Sequence, residues 1–127
     1  MEMSRYMLLL YAPDGDEAER ARRWAQLPQW EELLDELREA GHLIANAALH
    51  PVETATTVRV REDDVHLVDG PFATTKEVLA GYFLIECADL DQALDIACRV
   101  PTAQYGSVEI RPVVELPAPD VDPSTLR

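Results

Sequence analysis

The chain has 127 residues, of which 47% are hydrophobic, so it is long enough for one domain with a core and too short for two ordinary domains. Its formal net charge of −13 argues against a nucleic-acid surface, whose affinity depends on cations that meet phosphates, and against docking on an anionic membrane. We therefore expect one acidic domain, residues 1–115, followed by a proline-rich C-terminal tail, residues 116–127.

The N-terminus and the cysteines indicate the cellular compartment of the protein. The chain does not open with a charged start, a long apolar core and a cleavage site, and the apolar run around Tyr6–Ala12 is shorter than the ~20 residues of a membrane span. Cys87 and Cys98 match neither a metal knuckle nor a CxxC motif, which predicts two buried free thiols. These features predict a cytoplasmic protein.

The first half of the chain predicts a strand and two helices. Arg5–Tyr11 is apolar on both faces, which is typical of a central strand. Glu17–Gln26 is helix-like, and Pro28 predicts the first position of a second helix that ends at Gly41. The apolar stripe of that helix is formed by Trp30, Leu33, Leu34 and Leu37. Trp24 either joins this packing or lines a cleft, and the core is the expectation.

The second half predicts a hairpin, a further central strand, a helix and a last strand. A weak strand is predicted at Leu43–Leu49, before the hairpin of Thr54–Arg61 and Val65–Val68. The further central strand is predicted at Leu79–Cys87, and the last strand, at the edge of the sheet or with a bulge, at Ser107–Glu115. Asp89 and Gln92 have the spacing of a capping box at the start of the helix between the last two strands.

This element order predicts an α+β, ferredoxin-like domain, the split βαβ pattern, with one extra hairpin strand. Its helices cover one face of a mainly antiparallel sheet. The apolar character of both faces of the central strands indicates that a second copy covers the other face, so we expect a homodimer.

Asp69-Gly70-Pro71-Phe72-Ala73-Thr74-Thr75-Lys76-Glu77 is the densest run of unusual residue choices in the chain. Asp-Gly-Pro is turn chemistry, and Thr-Thr-Lys-Glu then supplies hydroxyls and both signs of charge within one turn. A plain connector needs only a glycine and one polar residue. The run therefore predicts a site next to the hairpin.

The same run, Asp69–Phe72 followed by Thr75–Glu77, resembles the signature of the DGPF, or YCII-related, family of small bacterial proteins. Four further blocks are similar to this family, in the family's order: Tyr6–Tyr11, Thr54–Arg59, Gly81–Glu86 and Gly106–Pro112. The resemblance implies a ferredoxin-like fold that pairs into a dimeric α+β barrel, a cleft with a His–Asp pair, and no established reaction. Members usually carry Glu where this chain has Thr74.

His50 and Asp69 are the predicted catalytic pair, because each ends a predicted strand beside Pro or Gly. A carboxylate that orients a neutral imidazole makes a general base near neutral pH. The alternatives are that His50 only precedes a loop proline and that Asp69 only closes its own turn. His66 is expected to face solvent, and His42 to meet the carbonyls at a helix end.

The predicted substrate-binding residues are Tyr11, Arg59, Phe72, Lys76, Glu77 and Tyr82. Tyr11 and Tyr82 adjoin central strands and are expected to line one rim. Lys76 either pairs with Glu77 on the surface or supplies positive charge to a substrate, and Arg59 is either a solvated strand residue or an anion clamp. The chain contains no phosphate loop, dinucleotide fingerprint or spaced metal motif, so we predict no cofactor and no metal.

Two functions from different classes fit these residues. The first is a cofactor-free enzyme that acts on a small carbonyl compound, with His50 as base, Asp69 as its orienter, and Lys76 or Tyr82 stabilising an oxyanion. The second is a non-catalytic small-molecule-binding or regulatory module, associated with a sigma factor of the extracytoplasmic-function class, as some family members are. A third interpretation gives the DGPF turn a purely structural role.

Overall fold

The computed structural model describes residues 2–72 and 76–115. The predictions about Thr74, Thr75 and the tail from residue 116 onwards lie outside the described residues. The strands are β1 (Ser4–Pro13), β2 (Leu43–Ala48), β3 (Thr56–Arg61), β4 (Asp64–Asp69), β5 (Glu77–Cys87) and β6 (Ser107–Pro112). The helices are α1 (Glu17–Trp24), α2 (Leu27–Glu39) and α3 (Leu90–Arg99), with 3-10 turns at Val52–Thr54 and Pro101–Gln104.

Four strands form an antiparallel sheet in the order β2-β5-β1-β6. The two strands predicted to be central, β1 and β5, are the inner pair, and the apolar residues on both of their faces explain why. A mainly antiparallel sheet with three helices is an α+β fold, and the strand order is compatible with the ferredoxin-like pattern.

Local capping signals determine where the helices end. Gly41 has φ +77°, and the backbone amide of His42 donates to the carbonyl of Leu37 at 2.8 Å, so α2 closes at the predicted glycine. Asp89 accepts from the amide of Gln92 at 2.9 Å, which confirms the predicted cap of α3. Pro28 lies at the second position of α2, one residue later than predicted.

One face of the sheet packs against α2 and α3 and forms the core. Its largest fully buried side chains are Leu8, Leu37, Ile85, Val100 and Cys87. The side chains of β1 and β5 that alternate with this set lie on the opposite face and are half-buried within one chain: Met7, Leu9, Tyr11, Tyr82 and Leu84. This second set is called the open face below, because none of the three helices in the described residues covers it.

The sequence predicts one extra hairpin strand, and the structure has a hairpin of two strands outside the main sheet. Strands β3 and β4 pair with each other in a separate two-stranded sheet. The 3-10 turn after β2, closed by hydrogen bonds from the Thr54 amide and hydroxyl to the Pro51 carbonyl at 2.9 and 2.6 Å, redirects the chain before β3 begins. The hairpin therefore does not extend the edge of β2.

Two burial predictions are wrong. Trp24 is 67% exposed, because α1 buries none of its residues and packs no apolar stripe against the sheet. Cys98 is exposed, because it follows the buried Ala97 on α3 and one step of about 100° turns its side chain away from the core. Cys87 is buried as predicted, and its burial raises the pKa of its thiol.

Candidate functional site

His50 lies at the mouth of a cleft between α1 and the sheet. The amide of Leu49 donates to the carbonyl of Ala80 at 2.8 Å, which continues the pairing of β2 with β5 and makes His50 the first residue beyond it. The exposed His50 lines a cavity of about 240 Å³ together with Trp24 and the loop after β1. The end of β2 and the start of β5 therefore place this imidazole beside α1.

Arg20 connects α1 to both loops at the cleft mouth. Its guanidinium lies 3.5 Å from a carboxylate oxygen of Asp14, in the loop after β1, and 3.5 Å from one of Glu53, in the turn after His50. These partly exposed pairs are worth little individually. Their main effect is to hold the loops that flank His50 against one helix.

Arg23 lies one turn further along α1 and lines the cleft on its inner side. It donates to the carbonyl of Pro13 at 2.9 Å and lies 3.6 Å from a carboxylate oxygen of Glu19. Its guanidinium carbon is 4.9 Å from the ring centroid of Tyr105. Three contacts fix this side chain at the point where the polar mouth meets the interior of the cleft.

The interior of the cleft is an apolar cavity of about 300 Å³. It is lined by four aromatic residues, namely Trp24, Trp30, Phe83 and Tyr105, with Asn46 and Thr102 among its few polar residues. The rings of Trp30 and Phe83 meet edge to face with centroids 6.0 Å apart. Ala12, Arg23, Trp24 and Ala80 line both this cavity and the one at the mouth. An apolar interior with a few polar groups at one end is the usual form of a small-molecule site.

Asp69 lies elsewhere, at the end of β4 in the hairpin, with an exposed side chain. No hydrogen bond joins it to His50 within residues 2–72 and 76–115, and it is not among the residues that line the cleft. Backbone and hydroxyl groups close its turn instead: the Gly70 amide donates to the Ala55 carbonyl at 2.7 Å, and the Thr57 hydroxyl donates to the Gly70 carbonyl at 2.8 Å. The catalytic role of the His50–Asp69 pair stays a prediction.

Arg59 and Phe72 lie together on the polar face of the hairpin. The guanidinium carbon of Arg59 is 4.8 Å from the ring centroid of Phe72, and both line a shallow groove with His66. His66 is exposed. This groove is separate from the cleft that contains His50.

The other predicted binding residues are distributed between the open face and the start of β5. Tyr11 and Tyr82 are half-buried on the open face, with Tyr82 opposite Leu9, so both side chains lie on the side of the sheet opposite the helices. Glu77 accepts a hydrogen bond from the Ser107 hydroxyl at 2.7 Å, and Lys76 is exposed. The single chain therefore does not gather the predicted set in one place.

Two cleft residues on α1, Arg20 and Arg23, were missed from the sequence, whereas Trp24 lines the cleft, which was the alternative to the core for this residue. One signal was available, since a short helix with no apolar stripe has no packing role to explain a tryptophan. What the sequence does not show is that α1 lies over the end of β2.

His42 has a structural role. One ring nitrogen, Nδ1, lies 2.9 Å from the carbonyl oxygen of Glu86, and Nε2 lies 3.3 Å from the side-chain nitrogen of Gln92. The prediction that this ring meets the carbonyls at the end of α2 is wrong, because the chain reverses at Gly41 and turns the imidazole toward β5 and α3. Among the described residues, no three His, Cys, Asp or Glu side chains are grouped to hold a metal ion.

The fold and the cleft define a small α+β protein with a ligand-sized pocket. The family model of the YCII-related domain matches residues 4–117, nearly the whole chain, so the chain belongs to the YCII-related family, as the DGPF run predicted. It is also 47% identical over 77 residues to an uncharacterized protein of Rhizobium meliloti (strain 1021). That alignment covers 59% of this chain and 62% of the relative. In the described part of the chain, every helix is too short or too polar to cross a membrane.

Proposed function

We propose that this YCII-related protein binds a small, mostly apolar molecule with one polar group in the cleft between α1 and the sheet. The observation that carries the proposal is the continuity of the aromatic-lined cavity with the mouth that contains His50. The apolar part of the ligand packs between Trp24 and Trp30. Its polar group meets His50 and Arg23 at the mouth.

The chemistry that fits this ligand is proton transfer next to a carbonyl group. The imidazole of His50 accepts the proton, since histidine is the side chain most often used as a general base. Arg23, held by the Pro13 carbonyl, is the donor available to the carbonyl oxygen as negative charge develops on it. Asp69 lies on the hairpin and does not line the cleft, so its role as the orienter of His50 stays a prediction.

Binding is tested with three probes of similar shape: acetophenone, 1-phenylethanol and ethylbenzene. Trp24→Ala removes an aromatic wall and is expected to weaken all three at least fivefold. His50→Gln is expected to weaken the ketone and the alcohol more than the hydrocarbon. His66→Gln, in the hairpin groove, is the matched control and should change none of them. Equal binding to wild type and Trp24→Ala, or no binding of any probe, would contradict the proposal.

Catalysis is tested separately by the exchange of the acetophenone methyl protons for deuterium in D₂O, followed by NMR. A general base at His50 predicts exchange above the buffer rate in the wild-type protein and exchange at the buffer rate in His50→Gln. Asp69→Asn tests the orienter, with an expected loss in rate. Binding without exchange would support the alternative function, a non-catalytic small-molecule-binding or regulatory module. For a regulatory module, the proposed partner is a sigma factor.

We also propose that the protein acts as a homodimer in which the open faces of two sheets meet and form the dimeric α+β barrel. Met7, Leu9, Tyr11, Tyr82 and Leu84 on the open face are apolar or aromatic, with the Arg5–Glu86 ion pair at one end, and none of the helices in the described residues covers them. Sedimentation equilibrium tests this proposal. Leu9→Asp at the centre of the open face is expected to yield monomers, and a wild-type protein that is monomeric at all concentrations would refute it.

A further inference from the structure

Thr102, in the 3-10 turn after α3, is the one buried polar residue in the part of the chain that the structure describes, with 3% of its surface exposed. It lines the interior of the cleft and does not line the mouth. Most of the residues around that interior are apolar or aromatic. A threonine therefore lies in a wall that otherwise offers few polar groups to a ligand.

The turn holds the backbone of Thr102 in place. The amides of Tyr105 and Gly106 donate to the Thr102 carbonyl at 3.2 and 2.7 Å. Gly106 itself lies so close to β1 that a Cβ at this position would collide with the carbonyl oxygen of Tyr11. These contacts fix the turn against β1, so the side chain of Thr102 occupies a defined place in the wall of the cavity.

The hydroxyl of Thr102 makes no hydrogen bond to any described residue. It is not sealed off, because the one fully enclosed and unpartnered side-chain oxygen or nitrogen among the described residues is Oε1 of Gln26. The small surface that Thr102 exposes in the wall therefore includes its hydroxyl oxygen. A buried hydroxyl without a partner costs free energy, which a hydrogen bond to a ligand recovers.

We propose that Thr102 determines the specificity of the cleft and that its hydroxyl binds a second polar group of the ligand. The inference rests on the function proposed above, in which the first polar group meets His50 at the mouth. A hydroxyl both donates and accepts, so it binds a hydroxyl group or a carbonyl oxygen. The four aromatic residues of the wall favour a ring between the two polar groups. The ligand class is therefore a small aromatic carbonyl compound with a second oxygen-bearing group on its ring.

Asn46 is the other uncharged polar residue of the interior that could supply this contact. It lies on the edge strand β2 and is exposed, so water satisfies its amide in the free protein. A buried polar group discriminates more strongly, because a ligand that lacks the matching group leaves it unpaired. The preference for a second polar group should therefore depend on Thr102.

The test compares the dissociation constants of acetophenone, 3′-hydroxyacetophenone and 4′-hydroxyacetophenone for the full chain, measured by isothermal titration calorimetry. We expect at least one hydroxy compound to bind about fivefold more tightly than acetophenone, which is within the range of one neutral hydrogen bond. Thr102→Val replaces the hydroxyl with a methyl group and should reduce this ratio to about one, whereas Thr102→Ser should keep most of it. Thr56→Val makes the same change in the hairpin, outside the cleft, and should leave the ratio unchanged.

Thermal unfolding gives a second readout that does not depend on a ligand. Thr102→Val should not lower the melting temperature, because the free protein loses no hydrogen bond when the hydroxyl is removed. A marked fall would mean that the hydroxyl is bonded within the protein, and it would overturn the role of Thr102.

The binding results separate this inference from the function on which it rests. A wild type that binds acetophenone without preferring either hydroxy compound would overturn the role of Thr102 and leave the proposed cleft intact. A preference that survives Thr102→Val, or that Thr102→Ser loses to the same extent, would also overturn it. If the wild type binds none of the three compounds, the function proposed above fails, and this inference fails with it.

Discussion

Trp24 offers a direct test of whether α1 forms a wall of the ligand cleft or part of the core. Trp24 is 67% exposed, so only about a third of its surface area is buried in the folded protein. Replacement by alanine therefore removes only that much buried area. A fully buried tryptophan costs about 3–5 kcal/mol when cut to alanine, so the expected loss for Trp24→Ala is about 1–2 kcal/mol. The area estimate is similar, since about 50–80 Å² at 25 cal/mol/Å² is about 1–2 kcal/mol.

Trp30→Ala is the matched comparison on the other side of the same cavity. Trp30 packs against the core and meets the ring of Phe83 edge to face. Since Trp30 is only partly buried, we expect it to cost about 2–4 kcal/mol, which is about 1–2 kcal/mol more than Trp24→Ala. In a domain of this size the melting temperature should fall by about 5 °C for Trp24→Ala and by about 10 °C or more for Trp30→Ala.

The assay is equilibrium unfolding in urea with the midpoint and slope determined for each variant, supported by calorimetry. Trp24→Ala should also weaken binding of the ketone probe, whereas an exposed residue without a ligand role would leave binding unchanged. If Trp24→Ala destabilises the protein as much as Trp30→Ala, then Trp24 is a packing residue and the description of the cleft wall is wrong.

Three further predictions concern the thiols, a helix cap and the hairpin turn. Cys98 should react with Ellman's reagent within seconds, whereas Cys87 should react only when the protein unfolds. Burial raises the pKa of the Cys87 thiol, so the folded protein keeps a proton that the unfolded chain loses. The free energy of unfolding should therefore decrease as the pH rises above the ordinary pKa of the thiol in the unfolded chain. Asp89→Ala should cost about 1 kcal/mol in urea unfolding, since it removes the 2.9 Å acceptor of the α3 N-terminus, and an unchanged midpoint would mean that the cap does not contribute. Glu62 and Asp63 have φ of +50° and +68°, so the double change to Asn-Gly, which removes the cost of left-handed backbone, should stabilise the hairpin by about 1 kcal/mol and slow its amide exchange. Faster exchange would count against the turn geometry.

Residue order alone was enough to predict the parts of the fold that depend on local rules. Gly41 marks the end of α2 because the chain needs a left-handed residue there, and Asp89 marks the start of α3 because the first amides of a helix need a side-chain acceptor. Neither requirement depends on distant parts of the chain. The two central strands were recognisable because a strand that is buried on one face and half-buried on the other needs apolar residues at every position. The DGPF run predicted the family for a different reason, namely its agreement with a known pattern, and the family model confirms it.

The tertiary structure alone decided which residues share a site. Arg20, Arg23 and Trp24 line one cavity with His50 because α1 lies over the end of β2, and this placement depends on packing between elements that are far apart in the sequence. For the same reason Asp69, Arg59 and Phe72, predicted in one set with His50, lie on a hairpin that forms its own sheet. Alternation along that hairpin determines that one face is mostly apolar, with Val58, Val60, Val65 and Leu67 on it. What covers the apolar face depends on the assembly, because an alternating pattern specifies that a face is buried and not the surface that buries it.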